Sequence, residues 1–217
     1  GAFTQLAAAG VNDVVLDLRY NGGGFLYIAS QIGYMVAGST RTASKTFERL
    51  QFSDRRAADT NNPNNNTPFY NVASGEPNTG TTENAPLPTL NLGRVYALAS
   101  PGTCSASEAI VNGLRGVGVE VILVGGTTCG KPYGFTAKDN CGISYFPIEF
   151  QGVNQLGFGD YADGFAPTAT CTVADDFSRA LGDTSEGMLA AALSHRATGS
   201  CGAASNGREG PQAAGSV

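Results

Sequence analysis

The apolar residues of this chain fall into short continuous runs that alternate with stretches of helical periodicity. Continuous apolar runs rich in β-branched residues are typical of buried strands, whereas apolar residues three or four apart are typical of amphipathic helices. The pattern predicts strands over residues 11–18, 41–52, 95–99, 120–124 and 143–150, and helices over residues 25–37, 105–115, 176–181 and 186–195. This alternation predicts an α/β domain with a mostly parallel sheet.

Two segments depart from the pattern. Residues 53–92 are rich in Asn, Pro, Thr and Gly, and they contain too few apolar residues to offset the entropy of ordering. We predict a long low-complexity surface insertion there, anchored by Phe69, Tyr70 and Leu87. Residues 201–217 consist mainly of Gly, Ala and Ser, which predicts a disordered tail after a single core over residues 1–200.

Charge and length restrict the classes of function. The 217 residues carry a net charge of −5 at pH 7, which argues against nucleic acid or an anionic membrane surface as a partner. No apolar run approaches the roughly 18 to 20 residues that a membrane-spanning helix needs. We therefore expect a globular protein without a membrane span in this chain.

The five cysteines indicate disulfide bonds rather than a metal site. None of them forms a C-x-x-C pair and the chain has one histidine, so we expect no metal and no other cofactor. Widely spaced cysteines in loops are typical of proteins from an oxidising compartment. Proximity in sequence alone favours the pairs Cys129–Cys141 and Cys171–Cys201, which leaves Cys104 unpaired.

Three of the predicted strands end in loops that contain glycine or reactive polar residues. The first leads into the triple glycine at residues 22–24, the second into Ser105, and the third into Lys131. Because the carboxyl ends of parallel strands lie at the same edge of a sheet, these loops can meet. A ligand would gather at that edge.

Ser105 has two interpretations. Ser105-x-x-Glu108 matches a capping box, and taken alone the segment favours a helix cap over a nucleophile. A serine nucleophile needs a base, but the single histidine, His195, lies at a polar helix end and fits a Ser/His/Asp triad poorly. Cys104 as a thiol nucleophile lacks a clear activating group.

Lys131 is the alternative base. Burial in an apolar site disfavours the charged form of a lysine, and Tyr133 and Phe135 follow Lys131 closely enough to form an apolar pocket. The G-x-x-x-x-G-K pattern of residues 125–131 also matches a phosphate loop. Pro132, however, stands where that loop needs a Ser or Thr to hold magnesium, so nucleotide binding is not favoured.

The three loops together resemble the tail-specific, or C-terminal processing, serine proteases of peptidase family S41. Asp17-Leu18-Arg19-Tyr20-Asn21-Gly22-Gly23-Gly24 is similar to the family's D-L-R-x-N-x-G-G signature. Cys104-Ser105-Ala106-Ser107-Glu108 is similar to its S-A-S-A-S-E segment, and Gly125-x-x-Thr128-x-Gly130-Lys131 to its G-x-x-T-x-G-K segment. The three motifs occur in the family's order and cover roughly residues 11 to 150.

The resemblance implies a crotonase-like (ClpP-like) core of spiral ββα units and an acyl-transfer mechanism. It assigns Ser105 as the nucleophile and Lys131 as the general base. The oxyanion would be bound by the N–H groups of Gly24 and Ala106, and Thr128 would help to orient Lys131.

The chain also departs from the family pattern. Gly116 and Phe135 occupy the positions where relatives often place an acidic residue or a glutamine that holds the lysine, so a third catalytic member is unidentified. Glu108 is a candidate supporting residue, with capping as its other role. A chain without catalysis, acting as a hydrophobic-ligand or peptide-binding module, is the alternative function.

The resemblance further implies a protein or peptide substrate and an exported protein of bacterial type, periplasmic or extracellular. No PDZ domain, which is common upstream in the family, is recognisable in these residues. The core strand expected before residue 1 is also missing, so we expect association with a preceding N-terminal segment.

Overall fold

The computed structural model describes residues 1–73 and 83–202. The helices of this part of the chain are α1 (Ala2–Ala8), α2 (Leu26–Ala37), α3 (Ser39–Thr42), α4 (Ala57–Thr60), α5 (Ala106–Gly116) and α6 (Gly187–Thr198). The strands are β1 (Val15–Asp17), β2 (Thr46–Phe52), β3 (Asn66–Pro68), β4 (Arg94–Ala99), β5 (Glu120–Gly125), β6 (Tyr133–Phe135), β7 (Lys138–Asn140), β8 (Ile143–Tyr145) and β9 (Ile148–Val153). None of the described helices is long and apolar enough to cross a membrane.

The predicted parallel sheet is confirmed. It has the order β1–β4–β5, with Val15 opposite Tyr96 and Tyr96 opposite Ile122. The strands β4 and β5 are buried along almost their whole length, as the continuous apolar runs predict. Their carboxyl ends therefore bring the Ser105 and Lys131 loops to one edge.

A second, antiparallel sheet was not predicted. It has the order β3–β2–β9–β6, and a separate hairpin joins β7 to β8. Phe47 of β2 connects this sheet to the helices. Its ring packs edge-on against Phe69. The ring also lies so close to Gly33 of α2 and Gly113 of α5 that a Cβ atom at either glycine would be crowded against it. Small residues on both helices are therefore needed for this close approach. The fold is mixed α/β, and among the described strands only β1, β4 and β5 pair in parallel, with one further parallel bridge between Gly125 and Thr172.

Several predicted elements differ from the observed ones. Residues 176–181 form turns instead of a helix, because Asp176 Oδ1 accepts hydrogen bonds from both the N–H and the hydroxyl of Ser178. The predicted strand 143–150 is divided into β8 and β9 around Pro147, which has no N–H to donate to a ladder. The predicted strand 11–18 is shorter, at Val15–Asp17, and the one over 41–52 starts only at Thr46.

The segment 53–92 is partly ordered where the structure describes it. It contains α4, two single-turn 3₁₀ helices and β3, which pairs with β2. Phe69 is buried in the core as predicted, whereas Tyr70 is exposed and Leu87 is only half-buried. An antiparallel bridge between Val72 and Pro86 closes this segment, and residues 74–82 lie outside the described residues.

One of the two predicted disulfides is confirmed and the other is wrong. Cys171 and Cys201 are bonded and buried, so Cys201 belongs to the core rather than to the predicted tail, whose residues 203–217 are not described. Cys129 is bonded to Cys104 and not to Cys141, which is an exposed free cysteine. Proximity in sequence failed here because the parallel sheet brings two distant loops together, with a Cα–Cα distance of 5.2 Å.

Glu48 of β2 is an acid buried in this fold. Its carboxyl group lies over Gly152 of β9, where a Cβ would come within 2.5 Å of Glu48 Cδ. Burial raises the pKa of Glu48 from 4.5 to about 7. Burial also raises the pKa of the Tyr161 phenol, and the nearby carboxyl groups of Glu48 and Glu108 raise it further.

Glu48→Gln is expected to remove a pH dependence of stability. Because the folded pKa of Glu48 exceeds the unfolded one, its stabilising contribution is complete below about pH 4.5 and is lost as the pH rises through about 7. Wild-type protein should lose about 3 kcal/mol of unfolding free energy relative to E48Q across this range, as measured by urea denaturation at each pH. Parallel pH profiles of the two proteins would contradict this assignment.

Candidate active site

Ser105 stands in the turn between β4 and α5 and is the N-cap residue of α5. Its backbone has φ 56° and ψ −114°, a conformation that residues with a side chain rarely adopt. Such strain persists only where the surrounding structure enforces it, and it is concentrated at functional sites. The strand–turn–helix location and the backbone together support a chemical role for this serine.

The triple-glycine loop packs directly against this turn. A Cβ on Gly23 would lie 2.8 Å from Ser105 Cβ and 3.3 Å from the Ala106 nitrogen, so only glycine fits there. The Asn21 carbonyl holds the glycine loop against this turn, because it accepts hydrogen bonds from the Cys104 N–H and from the Ser107 hydroxyl. Two of the three predicted loops therefore meet at Ser105.

Glu108 joins the third loop to the same point. It is fully buried in the first turn of α5, and its Oε2 accepts from the N–H of Ser105 at 3.0 Å and from the N–H of Lys131 at 2.8 Å. Its Oε1 accepts from Gly130 N–H at 2.8 Å and from the Thr128 hydroxyl at 2.6 Å. The predicted capping contact is thus present, and the same carboxylate also holds the Lys131 loop.

Thr128 extends this network instead of contacting the lysine side chain. Its buried hydroxyl donates to Glu108 and accepts from Phe165 N–H at 2.7 Å, while its own N–H donates to the Phe165 carbonyl. Thr103 has a comparable position between the loops: its carbonyl accepts from Cys129 N–H and its hydroxyl donates to the Leu18 carbonyl. Sequence reasoning missed Thr103, although it is fully buried next to the motif serine.

The apolar pocket expected around Lys131 is absent. Lys131 is exposed, as are Tyr133 and Phe135, and its Nζ lies 5.9 Å from the centre of the Phe135 ring. The expectation failed because β6 leaves both aromatic side chains exposed, so Phe135 lies near the Lys131 amine without enclosing it. Within the described part of the chain, no hydrogen bond joins the Ser105 hydroxyl to Lys131 Nζ.

Each of the two predicted oxyanion donors directly follows a residue of the contact between Gly23 and Ser105. Ala106 is the first residue of α5, where helix N–H groups have no partner within the helix, and Gly24 follows the glycine that packs on Ser105. Among the described residues, neither the Gly24 N–H nor the Ala106 N–H has a hydrogen-bond partner.

Asp17 and Arg19 of the first motif belong to an ion cluster around the buried Arg19 guanidinium, in which Asp17 itself is exposed. The Arg19 guanidinium pairs with Asp17 at 2.6 Å, with Asp175 at 2.9 Å and with Glu186 at 3.0 Å. Its hydrogen bonds lower the pKa of the Asp17 carboxyl, and those of Asp17 raise the pKa of Arg19. The ion pair with Glu186 connects Arg19 to the start of α6. The Ser100 hydroxyl donates to the Arg19 carbonyl, which connects the start of the triple-glycine loop to the end of β4.

The fold and the site together define the class of protein: a mixed α/β protein with a strained serine at the carboxyl edge of a parallel sheet. The chain belongs to peptidase family S41, whose model matches residues 1–138. This confirms the resemblance drawn from the three motifs. No curated protein matches the chain at a significant level.

Solved structures of two proteases share the fold. An S41 protease from Bacteroides fragilis is 27% identical with a TM-score of 0.67, over 90% of this chain and 47% of that chain. A photosystem II D1 C-terminal processing protease gives a TM-score of 0.51 at 21% identity, over 76% of this chain and 36% of that chain. This chain therefore spans less than half the length of either protein.

Replacing Thr128 should test the network around Glu108. Thr128→Val removes a hydroxyl that serves two buried partners, so it should cost about 1–3 kcal/mol of unfolding free energy in urea denaturation. Thr128→Ser keeps the hydroxyl and should cost less than the valine variant. A larger loss in the serine variant than in the valine variant would show that packing of the methyl group, rather than the hydrogen bonds, matters at this position.

Proposed function

We propose that the chain is the catalytic core of a serine endopeptidase of the tail-specific type, with Ser105 and Lys131 as its catalytic dyad. The observation that carries this proposal is the shared carboxylate of Glu108. It binds the backbone N–H groups of both residues, at 3.0 Å and 2.8 Å. A serine cap without further function needs no such connection to a lysine-bearing loop.

In the proposed reaction the Ser105 hydroxyl oxygen attacks the carbonyl carbon of a peptide bond. Lys131 accepts the hydroxyl proton and returns it to the leaving amine, and water then hydrolyses the acyl-enzyme. The N–H groups of Gly24 and Ala106 bind the oxyanion of each tetrahedral intermediate. Because the partial positive charge of the α5 N-terminus lies at Ser105, the helix adds to this stabilisation.

Because Lys131 is exposed, the proposal gives the substrate a second role besides being cleaved. A lysine in water is charged, and a charged lysine cannot accept a proton. A peptide that covers Lys131 and the neighbouring Phe135 ring would exclude water from the Lys131 amine. In this proposal substrate binding completes the surroundings of the lysine side chain, while Glu108 fixes its backbone beforehand.

The finer features of the proposal follow from the family. They comprise a crotonase-like spiral core, a single catalytic unit over residues 1–200, export from a bacterial-type cell and an unstructured protein or peptide as substrate. Peptidase-family membership and the ordered serine turn favour this function over a catalytically silent binding module.

Removal of either dyad residue should abolish turnover. In the full-length protein, Ser105→Ala should reduce cleavage of an unstructured protein by at least about 1000-fold, because the variant lacks the proposed nucleophilic hydroxyl. Lys131→Ala and Lys131→Arg should both be inactive, since a guanidinium cannot lose its proton at neutral pH. Cleavage would be followed by mass spectrometry of the peptides released.

Matched surface variants serve as controls. Ser144→Ala and Lys138→Ala change an exposed serine and an exposed lysine in the β7–β8 hairpin, and both should retain wild-type turnover. Undiminished cleavage by the Ser105 variant or by both Lys131 variants would contradict the dyad. A Lys131→Arg protein with normal turnover would show that the lysine acts by charge and not as a base.

A further inference from the structure

A disulfide lies directly between the two proposed catalytic loops. Cys104 immediately precedes Ser105, and Cys129 lies two residues before Lys131. The carboxylate of Glu108 lies beside this bond, with Oε2 3.4 Å from Cys129 Sγ. The two sulfur atoms and a Glu108 oxygen all lie within 4.8 Å of one another.

The two disulfides of the chain differ in accessibility. Cys129 is exposed and Cys104 is half-buried, whereas Cys171 and Cys201 are both buried. Thiol–disulfide exchange requires a thiolate to reach one sulfur atom of the bond. A dithiol reductant should therefore reduce Cys104–Cys129 before Cys171–Cys201. The exchange forms one disulfide in the reductant and two thiols in the protein.

Reduction would leave a set of ligands suited to a thiophilic cation. With Zn–S of about 2.3 Å and Zn–O of about 2.0 Å, tetrahedral geometry places a sulfur and an oxygen ligand about 3.5 Å apart. The Cys129 Sγ to Glu108 Oε2 distance of 3.4 Å already fits this value. The two sulfur atoms would have to separate to about 3.8 Å, and the Cα–Cα distance of 5.2 Å lets side-chain rotation achieve this.

The negative charge of the reduced site also favours a divalent cation. Two thiolates and one carboxylate would place three negative charges in a partly buried site, and a divalent cation compensates for most of that charge. Soft thiolate ligands select zinc-like ions over calcium or magnesium. A water molecule can complete the tetrahedron from the side on which Cys129 is exposed.

We propose that the reduced chain binds one zinc-like divalent cation through Cys104 Sγ, Cys129 Sγ and Glu108. Binding releases the two thiol protons and leaves the metal as Zn²⁺, with no change in its oxidation state. The metal competes for Glu108 Oε2 with the N–H groups of Ser105 and Lys131. Loss of peptidase activity on metal binding follows from this competition, and that consequence rests on the proposed function.

Cobalt(II) titration tests the site without any need for turnover. The protein would carry Cys141→Ser, to remove the exposed free thiol, and would be reduced with a phosphine, which takes up the oxygen of one water molecule as the disulfide becomes two thiols. We expect one Co²⁺ per chain, with thiolate-to-cobalt charge-transfer absorption and the intense visible bands of a tetrahedral ion. Affinity should be at least about 100-fold higher in the reduced than in the oxidised protein.

Two controls separate this site from other thiols. In the same background, Cys104→Ser with Cys129→Ser retains Cys171 and Cys201 and should lose the cobalt spectrum. If that variant fails to fold, alkylation of the reduced parent protein should abolish the spectrum instead. Persistence of the spectrum in either control would overturn the site, and so would equal binding by oxidised and reduced protein.

An activity measurement separates the two proposals. Zn²⁺ should inhibit the reduced protein but not the oxidised one, and a chelator should restore activity. Reduced protein that binds cobalt yet cleaves equally well with and without Zn²⁺ would overturn the inhibition alone. A Ser105→Ala chain that binds cobalt normally would retain the metal site even if the peptidase proposal failed.

Discussion

The active-site region depends on one buried carboxylate. Glu108 has no cation beside it among the described residues; its charge is compensated by the backbone N–H groups of Ser105, Gly130 and Lys131 and by the Thr128 hydroxyl. A buried charge without partners would be strongly destabilising, so these donors and the carboxylate fix one another. Because the donors come from loops after two different strands, the carboxylate sets the relative position of those loops.

The rest of the site is arranged around this constraint. Thr103 and Thr128 connect the loops to each other and to the segment around Phe165, and the Arg19 cluster anchors the glycine loop from behind. The Cys104–Cys129 bond adds a covalent connection at the outer surface of the same contact. The serine turn is thereby held from the inside by hydrogen bonds and from the outside by a disulfide.

Local sequence patterns predicted those parts of the fold that local physics determines. The runs at 95–99 and 120–124 became β4 and β5, and the motif loops met at one sheet edge because parallel strands require it. The partner of Cys129, by contrast, depended on that meeting and not on sequence separation. The helix expected at 176–181 was lost to a side-chain turn at Asp176, a competition that helical periodicity does not reveal.

The sequence motifs predicted which loops of the candidate site meet, but not how these loops are connected. The motifs contain Ser105, Glu108 and Lys131, yet only the fold shows that one carboxylate accepts hydrogen bonds from both the serine turn and the lysine loop. The environment of Lys131 could not be predicted, because neighbouring aromatic residues in sequence point outward along β6. Burial of a side chain is a property of the packed sheet rather than of its flanking residues.

The strained backbone of Ser105 means that glycine and alanine are not equivalent replacements at this position. A residue with a side chain at φ 56° and ψ −114° costs of order 1–3 kcal/mol, whereas glycine adopts this conformation more readily. Ser105→Gly would therefore combine loss of the hydroxyl with relief of strain, and an inactive chain of this kind could be more robust than the native one. Under the proposed mechanism the substrate of such a variant would stay intact, which makes the variant a natural choice for trapping a bound peptide.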